Sequence, residues 1–151
     1  MPHLPYVSGA LPAILVTGAS GAIGSALVPR LVRAGHRVRG FARDPARVTV
    51  GGLTDLVRGD AVTGAGLAEA LDGVDVAYYL IHSMETAAEA EADDPFADRE
   101  RSAADRFADA AAAAGVRRIV YLGGLVPAGA ELSPHLRSRS EVGRASCRER
   151  V

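Results

Sequence analysis

The sequence predicts an α/β fold, a doubly wound parallel sheet of five strands in the order 3-2-1-4-5 with helices on its faces. Three observations predict it. Short apolar runs alternate with segments of helical spacing along the chain. The first run, Ala13-Ile14-Leu15-Val16, is continuously apolar, as a strand buried on both faces requires. A glycine-rich turn separates that run from the first helical segment. With 151 residues, 48% of them hydrophobic, the chain can bury the core of one domain and is too short for two full-size ones.

Residues 1–12 carry Pro2, Pro5 and Gly9 and read as a loose arm; the domain proper is expected over residues 13–143. After the first strand comes Thr17-Gly18-Ala19-Ser20-Gly21-Ala22-Ile23-Gly24, and then Ile23, Leu27, Leu31 and Ala34 recur at helical spacing up to a stop at Gly35. The second strand is expected at 37–42, where Val38, Gly40 and Ala42 alternate with Arg39 and Phe41, and Arg43-Asp44-Pro45 forms the turn after it. A third strand at 53–57 closes at Gly59-Asp60, and a short helix at 66–71 ends at Asp72-Gly73. The fourth strand is expected at 74–81, a long helix at 96–114 capped by Gly115, and the fifth strand at 116–122. The acidic stretch at 85–94 reads either as a solvated helix start or as a lid over a ligand.

Composition narrows the function. Seventeen basic and 18 acidic residues give a net charge of -1, so no global basic field suggests nucleic acid. A single cysteine excludes an internal disulfide framework and a cysteine-based zinc site. No apolar run approaches the roughly 20 residues of a membrane span, and no basic segment precedes the first apolar stretch, so a cytoplasmic protein is expected. Every basic residue is arginine, and Lys, Asn, Gln and Trp do not occur, which reads as the coding bias of a GC-rich bacterium. Chemistry that needs a lysine or a side-chain carboxamide has no residue here to perform it.

The triplet Gly18, Gly21 and Gly24, set between a strand and a helix, is the arrangement that lets backbone amides approach a pyrophosphate at a helix N-terminus. The bland alternative is a tight turn with no ligand. Thr17, Gly18, Ser20, Gly21, Ala22, Ile23 and Gly24 are therefore the expected cofactor-binding turn. Cofactor choice is read at the end of the second strand, where NAD-selective sites carry a carboxylate for the ribose 2′-OH. Here no carboxylate ends the strand and Arg43 follows it directly, so NADP is expected over NAD, with Arg39 as a weaker helper; the alternatives are that Arg43 is a solvated turn residue, which Asp44 beside it could neutralise, and that NAD is bound. Asp60 could accept from an adenine amino group or could close a turn. Leu80, Ile81, His82 and Ser83 end the fourth strand and should line the cleft; Gly123, Gly124 and Leu125 follow the fifth and should lie beside a nicotinamide.

The segments TGASGAIG, FARDP, GVDVAYYLIHSM, AGVRRIVYLGGL and LSPHLRSRSEVG together resemble the atypical short-chain dehydrogenase/reductase superfamily, and most of all its NmrA-like, NAD(P)-binding members, over residues 14–143. The resemblance implies a Rossmann fold with a nicotinamide dinucleotide at the glycine turn. It also implies a sixth strand and a C-terminal substrate portion, so the chain reads as C-terminally truncated. Catalytic members carry a Ser after the fifth strand and a Tyr-x-x-x-Lys on the next helix, where the Lys lowers the phenol pKa. In this chain the Ser position falls on Gly123 or Gly124, and the Tyr and Lys positions fall on His135 and Arg139. His135 could act as an unconventional acid, or His135 and Arg139 could be surface residues of a loop-to-helix junction; His82 has the same two readings.

Residues 144–151, at the end of Gly143-Arg144-Ala145-Ser146-Cys147-Arg148-Glu149-Arg150-Val151, lack apolar periodicity and match the translation of a sequencing-adapter strand, so a non-native tail is expected there. Three functions stay open. The first is an NADP-binding oxidoreductase-like protein, and the second a non-catalytic NADP(H)-sensing regulator with a protein partner. The third is an assembly or structural subunit. The substrate is unknown.

Overall fold

In the computed structural model, which describes residues 11–81 and 95–123, five strands form one sheet. They are β1 (Ala13–Thr17), β2 (Arg37–Ala42), β3 (Asp55–Arg58), β4 (Val76–Tyr79) and β5 (Arg118–Tyr121). Every pairing is parallel and the order is β3-β2-β1-β4-β5, as expected. Helices α1 (Ala22–Arg33), α2 (Leu67–Leu71) and α3 (Pro95–Ala113) make the crossovers, and a short helical turn, Pro45–Arg47, follows β2.

The register sorts side chains onto two faces, because successive residues of a strand point to opposite sides. Leu15 pairs with Arg39 and Ala77, and Phe41 with Val57. Leu15, Phe41, Val57, Ala77 and Tyr79 are buried together with Leu67 and Leu71 of α2 and Phe107 of α3. On the other face Ile14, Val16 and Val38 pack with Val28 of α1 and with Leu80. This division follows from crossover handedness. The step from β1 to β2 runs toward one edge, whereas the steps from β3 to β4 and from β4 to β5 run toward the other. Right-handed connections then put α1 on one face and α2 and α3 on the opposite one.

Three strands are shorter or later than their apolar runs. β3 starts at Asp55, because Thr54 is held outside the ladder: its N–H and its hydroxyl both donate to the Val38 carbonyl, at 2.8 and 3.0 Å. Leu53, expected within that strand, packs instead against the α1-side core. β4 is confined to Val76–Tyr79, since Val74 N–H closes the end of α2 on the Leu71 carbonyl and Leu80 N–H is taken by a side chain. β5 starts at Arg118, because Val116 N–H still belongs to the end of α3, donating to the Ala111 carbonyl.

The N-terminal end of the sheet is fastened by two side chains. The Asp75 carboxylate accepts from Ala13 N–H at 2.9 Å and from the Arg117 guanidinium at 2.9 Å, while the Asp75 carbonyl accepts from Arg117 N–H at 3.0 Å. One residue thus ties β1, β4 and the start of β5. Arg39 reaches across from β2 to the last turn of α2, where its guanidinium donates to the carbonyls of Glu69, Ala70 and Asp72 at 2.9–3.1 Å. It also pairs with Asp55 at 3.2 Å. A cation at a helix C-terminus meets carbonyls that have no partner within the helix.

Candidate functional site

β1 ends in a turn whose glycines are required by space. Gly18 has φ +68°, and a Cβ there would stand 2.9 Å from the Leu80 carbonyl oxygen. Gly24 is buried in the first turn of α1, where a Cβ would stand 2.3 Å from the Gly18 oxygen and 2.8 Å from the Ala19 Cα. At Gly21 the nearest atom to a Cβ would be the Gly18 oxygen, 3.3 Å away. Gly21 N–H donates to the Gly18 carbonyl at 3.0 Å, which closes the turn.

The turn delivers the chain into α1 with its amides open. Gly21 is the N-cap and no side chain caps it, and the first turn holds no acidic residue. Ser25 N–H returns to the Gly21 carbonyl at 2.9 Å, so the helix ladder begins there. The N–H groups of Ala22, Ile23 and Gly24 precede that ladder and have no intrahelical acceptor. Ser20, Gly21 and Ala22 are exposed, and Ile23 is 44% exposed, a large apolar side chain left beside the turn. An anion there would meet both N–H donors and the positive end of the helix dipole.

Thr17, expected among the cofactor-facing residues, has its side chain elsewhere. It is fully buried; its hydroxyl donates to the Tyr78 carbonyl at 3.0 Å and accepts from Leu80 N–H at 2.9 Å. This pins the ends of β1 and β4 together where the strand order reverses, the place at which open α/β sheets bind ligands. Thr17 is therefore a positioning residue for the crevice. Arg39 also departs from expectation: its guanidinium is engaged at the α2 carbonyls, at the end of the sheet away from the turn, and gives no help to a 2′-phosphate.

The other residues fall where the sequence placed them. Arg43 stands just past β2 and is exposed. Asp60 follows β3 and closes a turn, with one carboxylate oxygen accepting from Val62 N–H at 2.7 Å and its own N–H donating to the Ala65 carbonyl at 2.9 Å. Leu80 is buried and Ile81 partly buried at the end of β4, and Gly123 is exposed past β5 beside Leu122, which is 45% exposed. Thus the turn at 18–24, Arg43, Asp60, Leu80, Ile81 and Gly123 all lie at the C-terminal end of the sheet. His82, Ser83, the acidic stretch 85–94, Gly124, Leu125, His135, Arg139 and residues 144–151 lie outside the described residues.

Sequence reasoning missed the Asp75 clamp and an aromatic group under α3. Tyr79 packs its ring 4.9 Å from Phe107 and 6.2 Å from Tyr121. Burial pushes the Tyr79 phenol well above the usual tyrosine range, and the nearby Glu100 and Tyr121 push it further. A phenol so held stays neutral and is a packing group. Among the described residues no helix is long and apolar enough to cross a membrane.

Residues 18–143 match the model of a family described as NAD(P)H-binding. The chain is 44% identical over 110 residues to a (4-alkanoyl-5-oxo-2,5-dihydrofuran-3-yl)methyl phosphate reductase of Streptomyces griseus, an alignment covering 72% of this chain and 33% of that protein. It is 32% identical over 114 residues to a 3 beta-hydroxysteroid dehydrogenase/Delta 5-->4-isomerase of Mycobacterium tuberculosis, covering 72% of this chain and 30% of the relative. The chain therefore spans about a third of the length of the curated relatives it matches. Among solved structures it superposes on a short-chain dehydrogenase/reductase superfamily protein of Agrobacterium tumefaciens with bound NAD, at TM-score 0.68 and 28% identity, covering 88% of this chain and 43% of that one. A likeness in fold alone extends to the Citrobacter sp. triphenylmethane reductase complexed with NADP(H), at TM-score 0.66 and 21% identity, covering 89% and 45%.

Proposed function

The chain belongs to the NAD(P)H-binding family, with the Rossmann architecture of the short-chain dehydrogenases and reductases, and from that premise we propose that it is the cofactor-binding part of an oxidoreductase-like protein that prefers NADP(H) to NAD(H). The observation that carries this reading is the glycine turn. Its three glycines leave no room for a Cβ at positions 18 and 24, and they bring the uncapped amides of α1 to the open end of the sheet. Those amides would hold the pyrophosphate. The exposed Arg43, with no carboxylate ending β2, would face the 2′-phosphate of the adenosine ribose. The Asp60 oxygen that has no hydrogen bond among the described residues would accept from the adenine amino group. Leu80, Ile81 and Gly123 would flank the nicotinamide and keep water from its face. When bound, the nicotinamide supplies a hydride donor or acceptor.

A second reading, binding without turnover, is favoured by one observation. Gly123 or Gly124 falls at the position where the enzymes this chain resembles carry their Ser, and the chain holds no Lys. A protein that reports NADP(H) to a partner, or an assembly subunit, needs the first half of the site and not the proton relay.

Titration of the full chain with NADPH and NADH, followed by nicotinamide fluorescence, tests the first reading. NADPH is expected to bind more tightly, and Arg43→Ala to weaken NADPH about tenfold with NADH unaffected, the loss of one charge-assisted contact. Equal affinities for the two nucleotides would remove the NADP preference. Absence of hydride transfer to carbonyl or quinone acceptors, with NADPH still bound, would favour the second reading.

A further inference from the structure

We propose that Arg58 is a second cation for the 2′-phosphate of NADP(H), acting from β3 beside Arg43; the inference rests on the NADP preference argued above and adds the residue that completes it. The sheet places the two arginines at neighbouring strand ends. Arg58 is the last residue of β3 and pairs in register with Ala42, the last residue of β2, after which the chain continues into Arg43. Gly59 N–H donates to the Ala42 carbonyl at 3.0 Å, which holds the two ends side by side. The helical turn Pro45–Arg47 that follows Arg43 packs against β3.

Two arginines and two carboxylates, Asp44 and Asp60, stand at this corner. Arg43 and Arg58 are both exposed, and among the described residues neither guanidinium has an ion pair or a hydrogen bond. The nearby carboxylates each have one oxygen bonded to a backbone N–H and keep their negative charge. An Asp44 oxygen accepts from Ala46 N–H at 3.1 Å, and an Asp60 oxygen from Val62 N–H at 2.7 Å. Asp55 pairs with Arg39 at the far end of β3. A dianionic phosphate monoester between guanidinium groups on adjacent strand ends would make a charge-assisted contact with each. A ribose 2′-OH offers no such charge. The pair therefore discriminates between the two dinucleotides rather than strengthening both.

The test is the ratio of NADPH to NADH affinity in the full chain and in Arg43→Ala, Arg58→Ala and the double variant. Arg58→Ala is expected to weaken NADPH about tenfold and leave NADH unchanged, and the double variant to bind the two nucleotides equally. Arg58→Gln repeats the charge removal with more of the side-chain stem kept, should alanine disturb the strand end. If both Arg58 variants leave the ratio at its original value while Arg43→Ala lowers it, Arg58 has no part and the NADP preference stands without it. If the unaltered chain shows no preference, the NADP reading itself falls and this inference falls with it.

Discussion

The two ends of the sheet use their polar groups in opposite ways. At the N-terminal end several are joined to one another, though the buried His36 Nδ1 has no partner among the described residues: Asp75 joins Ala13 and Arg117, and Arg39 covers three carbonyls of α2 and meets Asp55. At the C-terminal end comparable groups stand open. The first turn of α1 has no cap, and Arg43 and Arg58 have no counter-ion among the described residues. Both ends belong to one sheet and are built from the same residue types, so composition does not explain the contrast. A fold gains by satisfying polar groups wherever it can do so internally. The uncapped amides of α1, on a turn too tight for side chains at positions 18 and 24, are donors whose acceptors a ligand can supply.

Variants at each end can break or sharpen this contrast. The largest effect is expected of Gly24→Ala, since the new methyl would lie 2.3 Å from the Gly18 oxygen. Overpacking of this kind costs about 1–3 kcal/mol, and displacement of the turn should lower NADPH affinity by roughly a hundredfold or more, the scale of a misplaced binding group. Urea denaturation and NADPH titration read the two effects; unchanged NADPH affinity would show that the open end is not the binding end. Thr17→Val comes next. It leaves the buried Leu80 N–H without its acceptor, at a cost of about 1–3 kcal/mol in urea denaturation. Stability within error of the unaltered protein would mean that the hydroxyl does not hold the crevice.

Asp75→Ala belongs to the closed end and should separate stability from binding. Arg117 is 71% exposed, so its ion pair contributes little, and the loss falls on the bond from Ala13 N–H. About 0.5–1.5 kcal/mol of stability is expected to go, with NADPH affinity unchanged; an affinity loss would join the two ends and end the distinction. The smallest effect is alkaline. Tyr79 has a folded-state pKa raised above its ordinary value by burial, by Glu100 and by Tyr121. Its contribution to stability is complete below the unfolded value of about 10 and is lost as pH rises from there toward the folded value. Thermal melting from about pH 8 to about pH 11 should fall less steeply in Tyr79→Phe than in the parent, and identical slopes would remove Tyr79 from the account.

The open end was far more legible in the sequence than the closed one. Strand order and the glycine turn follow from local signals, namely apolar runs, helical spacing, and glycines set between the two. The positions of Arg43 and Asp60 past β2 and β3 were legible because they adjoin strand ends that those signals locate. Thr17 was placed at the right point and given the wrong task, because a hydroxyl beside a glycine turn looks the same whether it faces a ligand or a neighbouring strand. Asp75 and Arg39 were out of reach. Apart from Asp55, their partners lie 30 or more residues away, and only the fold brings them together. The limits of β3 and β4 were misjudged for a related reason. Thr54, Val74 and Leu80 have strand-like surroundings in sequence, but their N–H groups bond outside the ladder.

The Asp75 clamp also bears on the order in which the molecule assembles. Its partners Ala13 and Arg117 lie 62 and 42 residues away along the chain. Such contacts close large loops, and chain entropy disfavours them until the sheet around them has formed. The carboxylate is therefore expected to act as a late latch, closing after the rate-limiting step. In stopped-flow measurements Asp75→Ala should leave the refolding rate unchanged and raise the unfolding rate by the whole of its stability loss. A slowed refolding limb would place the clamp in the folding nucleus instead. On this account the end of the sheet without a ligand governs how long the binding end stays assembled.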